Sequence, residues 1–158
     1  MNEFPSFEQT AEARSMTSDF CVAVHALVFL NRRQCILSSE ELAQNICTNP
    51  ARVRKVMARL KRAGLIETKE GAEGGYRFVL DPGAVSLRSI GDALGVHYVS
   101  SSWRSGDCDL PCLVASGMAH IMDGIFDELN ELCRTHLDGM TIRHIDTLIC
   151  GEHGRPAN

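Results

Sequence analysis

The sequence predicts a mainly α fold, a winged helix-turn-helix with a small two-stranded β wing, continued by a long C-terminal helix. Three observations carry that expectation. Three helical patterns precede residue 64, the third opened by Asn49-Pro50 and closed by Gly64. Two short segments of strand composition, 65–69 and 76–80, follow at once, joined by the glycine-rich tip Glu70-Gly71-Ala72-Glu73-Gly74-Gly75. Farther on, from about Pro111 to His136, apolar residues recur every three or four positions, the signature of an amphipathic helix.

Each element has a local reason. Residues 1–15 contain acidic residues and no apolar core, and read as a poorly ordered arm. From Thr17 or Ser18 the chain is almost wholly apolar until Asn31-Arg32-Arg33, which predicts a buried first helix. Ser38 and Ser39 precede Glu40 and Glu41, a serine cap with acids at the positive end of a second helix. Cys47-Thr48 breaks that helix; Asn49 caps the third, and Pro50 suits a first-turn position that needs no amide hydrogen. After Asp81-Pro82-Gly83, Ser86 opens a short helix through Leu94. The expected organisation is an arm over 1–15, a winged helix-turn-helix domain over 16–95, a sensor loop over 96–112, dimerisation helices over 113–150, and a disordered tail over 151–158.

Charge narrows the function. The chain of 158 residues carries a formal net charge of −4. Between Asn49 and Arg62, however, six residues are basic (Arg52, Arg54, Lys55, Arg59, Lys61, Arg62) and none is acidic, which leaves −10 for the remainder. A cationic stripe on an acidic body is the footprint of a phosphate-binding surface. In the third helix Val53, Val56, Met57 and Leu60 share one face and predict packing on the first two helices. Ala51, Arg54, Lys55, Ala58 and Arg62 share the opposite face, from which arginine and lysine reach guanine edges or phosphates in a major groove. Asn49, Ala51 and Arg52 stand at the helix start, the part that enters the groove deepest, and Arg59 adds charge about two turns after Arg52. Ser38, Ser39 and Thr48 are candidate donors to phosphate. In the wing, Lys69, Gly74, Gly75, Tyr76 and Arg77 are candidates for minor-groove contact. The expected partner is double-stranded DNA.

The segment from Ser38 to Leu80, SSEELAQNICTNPARVRKVMARLKRAGLIETKEGAEGGYRFVL, resembles the DNA-binding half of the Rrf-two family of bacterial repressors. Asn49-Pro50, Leu60 to Ile66 and Gly74-Gly75-Tyr76 are its most specific parts. The likeness runs from about Thr17 to Leu94 and more loosely to residue 136. It implies a homodimer built on the long helix, a palindromic operator and, in many members, redox sensing. Cluster-binding members hold a two-iron, two-sulfur cluster with three cysteines in the loop before the long helix and a fourth ligand from elsewhere, sometimes an acid in the first helix. On that pattern Cys108 and Cys112 are the loop candidates and Asp19 the acidic one. A third loop cysteine is missing. Cys133 lies about 30 Å along the helix from Cys112 at about 1.5 Å per residue.

The seven cysteines are scattered, unlike a disulfide framework. Cys108 and Cys112 also suit a thiol switch, because Cys112 lies at a helix start that stabilises thiolate. A cluster, a disulfide switch and no sensory role all stand open, as does control by a bound protein effector contacting the acidic second half. Cys21, Cys133 and Cys150 fall among apolar residues and predict small core side chains. Cys47 suits a tight turn, and Cys35 neighbours Arg32 and Arg33. Trp103 and Tyr98 are candidates to cover a small-ligand pocket. The histidines show no metal-ligand spacing, so no metal site is assigned. No phosphate-binding or nucleophile motif occurs; the glycine-rich run lies between strands, where a phosphate loop precedes a helix. The expectation is a regulator rather than an enzyme, and a soluble cytoplasmic protein without a membrane span.

Overall fold

The computed structural model describes residues 8–153, with side chains over 17–151. The order is α1 (Glu8–Arg33), α2 (Ser39–Ile46), α3 (Pro50–Arg62), β1 (Glu67–Lys69), β2 (Gly75–Arg77), α4 (Leu87–Ala93), α5 (Leu113–Asp138) and α6 (Ile142–His153). It is a mainly helical winged helix-turn-helix.

The caps sit where the side chains demand them. Ser38 caps α2 and accepts from the Glu41 amide at 3.2 Å, while Glu41 Oε2 accepts from the Ser38 amide at 2.8 Å, a complete capping box. Asn49 caps α3, its Oδ1 accepting from the Arg52 amide at 2.7 Å. Ser86 caps α4 through the Ser89 amide. Between α2 and α3 the chain turns at Cys47, a left-handed residue at φ 59° and ψ 48°.

Helices α1, α2 and α3 converge on one core. Leu27, Leu30, Leu42, Val53, Val56, Met57 and Leu60 are fully buried there. Burial of each such side chain contributes about 1.5–3 kcal/mol, which fixes the rotation of α3 about its axis. From α4 and α6, Ile90, Leu94 and Ile142 complete the same core.

The wing is shorter than expected. Strands β1 and β2 pair antiparallel with Thr68 opposite Tyr76. Leu65 and Ile66 do not join the ladder: the Leu65 amide donates to Leu60 O and closes the end of α3. After Arg77, Phe78 turns into the core while Val79 and Leu80 are exposed. Leu37, in the turn before α2, forms an isolated bridge to Tyr76 beside the three-pair ladder, with hydrogen bonds of 2.8 and 3.0 Å.

Two ends also differ from expectation. The segment 8–15, assigned to the arm, continues α1, because Glu-Gln-Thr-Ala-Glu-Ala-Arg-Ser is rich in good helix formers. Residues 1–7 lie outside the described ones. At the other end α6 extends through His153, and the rest of the expected tail, 154–158, lies outside as well. Among the described residues no helix is long and apolar enough to cross a membrane.

Candidate nucleic-acid interface and cysteine loop

Packing Val53, Val56, Met57 and Leu60 inward turns the other side of α3 to solvent. Ala51, Arg54, Lys55, Ala58, Lys61 and Arg62 are exposed on it, and Arg59 is half-buried. No acid stands in the first turn of α3, and Arg59, Lys61 and Arg62 occupy its last turn.

Arg52 takes a different place. Its Nε lies 2.8 Å from Oδ1 of Asp19, and its guanidinium also donates to the Ser18 hydroxyl. Asp19 is 3% exposed. Both residues thus leave the roles expected of them: Arg52 turns toward α1 rather than along the cationic face, and the Asp19 carboxylate is engaged by a cation from α3. The reason is a contact between helices, which sequence spacing does not report.

Ser39 is buried at the foot of Arg54. Its hydroxyl accepts from Arg54 NH1 at 3.1 Å and donates to Glu40 Oε2 at 3.0 Å, and Arg54 NH1 also donates to Glu40 Oε1 at 3.2 Å. Ser39 is therefore placed to hold Arg54, not to face a phosphate. Ser38 and Asn49 spend their side-chain acceptors on caps, and Thr48 is half-buried with its amide bound to Ala43 O. The Glu40 carboxyl is held below its ordinary range, chiefly by its own backbone amide and the Ser39 hydroxyl.

In the wing, Lys69 and Arg77 are exposed, and Arg77 NH2 pairs with Glu67 at 2.8 Å. Tyr76 is half-buried, and burial pushes its phenol above the ordinary value. Gly74 and Gly75 serve close approach. A Cβ on Gly75 would stand 2.3 Å from Leu37 O, and one on Gly74 2.5 Å from Lys69 O. Glycine at these two positions lets the wing close on itself and on the turn before α2.

The loop before α5 folds back on that helix. The Asp107 amide donates to Ala115 O at 2.9 Å, and Gly106, at φ 76°, lies so near Ala115 O that a Cβ there would stand 1.9 Å from it. This tie brings the Cys108 segment to the start of α5, where Cys112 is the N-cap residue. Both cysteines are exposed. The Cys112 thiol is pulled below its ordinary value by the amides of Ala115 and Val114, the positive end of the helix.

The remaining cysteines depart from the core assignment. Cys21 and Cys150 are exposed and Cys133 is half-buried, because each sits at the edge of its helix's apolar face. Arg32, a neighbour of Cys35 in sequence, donates instead to Asp146 and, at 3.0 Å, to Cys150 Sγ. Trp103 and Tyr98 separate. Trp103 lines a cavity of about 680 Å³ with Met118, Met122 and Phe126, while Tyr98 packs edge-on against Phe20 with ring centroids 5.7 Å apart.

A cluster needs four ligands in one place. The loop offers two thiols, Cys108 and Cys112, with the Asp107 and Asp109 carboxylates beside Cys108; Asp19 is ion-paired with Arg52, and Cys133 is remote along α5. The thiols alone do not complete a cluster held within one chain.

Two residues have roles that sequence spacing does not report. In sequence Glu40 is only a first-turn acid, and no local signal pairs it with Arg54. Asn130 is the buried residue of α5. Its Oδ1 accepts from the amides of Tyr98 and Val99 at 2.8 and 3.0 Å, and its Nδ2 donates to Val99 O and Phe126 O. A polar residue four positions after Phe126 and three before Cys133 was the available signal.

Known proteins place the chain. A candidate transcriptional regulator from Lactobacillus plantarum is similar in structure, with a TM-score of 0.70 and 21% identity over 87% of this chain and 98% of that one. The IscR of T. potens has a TM-score of 0.58 and 18% identity, covering 89% and 90%. CymR, the global cysteine regulator of B. subtilis, has a TM-score of 0.56 and 19% identity, covering 82% and 94%. These likenesses show the fold. No curated protein matches the sequence. Residues 16–146 match the family described as Rrf2, iron-dependent transcriptional regulator, whose members are regulators and not enzymes. With that match over most of its length, the chain belongs to the Rrf2 family of DNA-binding transcriptional regulators.

Proposed function

We propose that this protein is a homodimeric, sequence-specific repressor that reads a palindromic operator with α3 and the wing. The observation that carries this reading is the solvent-facing cationic side of α3, with Ala51, Arg54, Lys55 and Arg62 exposed over a fully buried opposite face. Small Ala51 and Ala58 let the helix approach base edges, and Arg54 and Lys55 supply donors. Lys69 and Arg77 stand where a wing meets the backbone of the duplex.

The outer side of α5 supports the dimer. Leu113, Val114, Ile121, Ile125, Leu129 and Leu132 are all exposed, Leu113 at 90%. An apolar stripe of this length on one helix is suited to a second copy of the same helix.

Cys108 and Cys112 are the proposed redox element. The Cys112 thiolate attacks a hydroperoxide, becomes a sulfenic acid and releases water or alcohol after proton uptake. The Cys108 thiol then displaces water from that sulfur, and a disulfide forms. The bond reshapes the start of α5, and through the dimer it lowers operator affinity.

The test uses the full chain and duplexes that it selects from a random pool. Substituting Arg54 and Lys55 with Ala lowers affinity about 100-fold, as two lost specific contacts require, with the thermal melt unchanged. Undiminished affinity in that variant overturns the reading. For the switch, hydroperoxide weakens binding by the wild type and not by Cys108→Ser with Cys112→Ser; an equal response in both removes the cysteines from the account.

A further inference from the structure

We propose that Glu40, together with Ser39, holds Arg54 by NH1 with the other edge of its fork free, and thereby sets the specificity of the α3 surface for guanine-containing sites. The proposal rests on the DNA-reading role of α3 given above.

The three side chains form a closed triangle across α2 and α3. Arg54 NH1 gives both of its contacts to Ser39 Oγ and Glu40 Oε1, and Ser39 in turn donates to Glu40 Oε2. Among the described residues nothing engages the Nε–NH2 edge of the Arg54 fork. That edge carries two parallel N–H donors, which match guanine O6 and N7. Ser39 is buried at 8% exposure, so the corner of the triangle is rigid. Its outer members are not: the Glu40 and Arg54 side chains are 66% and 54% exposed. Glu40 is also the acid that meets the cationic face, since α3 itself carries none from Pro50 to Arg62.

The free edge takes the two guanine acceptors while NH1 stays on Ser39 and Glu40. A single phosphate oxygen fills only one of the two donor places, and the exposed Glu40 carboxylate beside Arg54 repels it. Glu40 therefore discounts binding to duplex that lacks the right base and leaves the specific complex nearly untouched. The side chain acts through Arg54 and is a positioning residue.

The test compares the selected duplex with a scrambled duplex of equal length and composition. Glu40→Gln is expected to tighten the scrambled duplex about fivefold, the scale of one exposed pair, and the selected duplex by less than about twofold. Ser39→Ala, which keeps the Glu40 charge, lowers the ratio of specific to non-specific affinity in the same direction. In an Arg54→Ala background, Glu40→Gln shifts both duplexes by one common factor. If Glu40→Gln shifts both duplexes equally in the wild-type background, Glu40 is a mere surface charge and the proposal is wrong. If the wild type selects no sequence from the pool, the DNA-reading role itself fails, a distinct result.

Discussion

The carboxylate of Asp19, buried on α1, receives the guanidinium of Arg52 from the first turn of α3 at 2.8 Å. The pair fastens the start of α3 to the long first helix. Removing the cation leaves a buried carboxylate without its partner, which costs about 3 kcal/mol. Arg52→Ala is therefore expected to lower the midpoint of urea unfolding clearly, while Arg54→Ala, on the exposed face, changes stability by less than about 0.5 kcal/mol. Equal effects of the two variants would remove the anchoring role of Asp19.

Asn130 ties the segment after α4 to α5 through three hydrogen bonds, with a fourth to Phe126 O inside α5. Asn130→Ala frees the Tyr98 and Val99 amides. The expected result is faster hydrogen exchange at those two amides and a stability loss of about 2 kcal/mol. Asn130→Asp keeps the acceptor and loses the donors, so it protects the two amides better than Ala does. Unchanged exchange in the Ala variant would mean that other contacts hold the segment.

The lowered thiol of Cys112 gives a pH prediction. Because the helix amides favour thiolate, the thiolate persists to lower pH than that of free cysteine. Alkylation of Cys112 by iodoacetamide, followed by mass spectrometry of the peptide, should rise with a midpoint below that of free cysteine. A midpoint at or above the free value would contradict the placement of Cys112 at the α5 terminus.

The α2 capping box also titrates. The Glu41 carboxyl is held below its ordinary range by the Ser38 backbone amide and then by the Ser38 side chain. A group lowered on folding stabilises fully above its unfolded value and loses that contribution as pH falls through the folded one. The difference in melting temperature between wild type and Glu41→Gln should thus be present at neutral pH and shrink below the ordinary carboxylate range. Ser38→Ala, which removes the other half of the box, is expected to cost about 1 kcal/mol near neutral pH.

Local chemistry made much of this fold legible. Ser38, Asn49 and Ser86 cap the helices that their side chains predict, because a cap needs only amides two or three residues away. The inward face of α3 was readable for the same reason: a 3.6-residue period decides it. What escaped depends on neighbours distant in sequence. Arg52 turns to Asp19, 33 residues earlier, and no periodicity encodes that choice. Arg54 meets Glu40 from another helix, and Gly75 is required by Leu37 from the turn before α2. The apolar period of α5 gave the helix but not its partner, and its most regular stripe faces outward.

The most direct test of the central claim is a hydroxyl-radical footprint of the full reduced chain on a duplex it has selected. A homodimer reading with α3 predicts two protected patches related by twofold symmetry, with centres one helical turn apart, about 10 base pairs, or a multiple of that. Protection of a single patch would contradict the dimer, and uniform cleavage along the duplex would contradict sequence-specific binding altogether.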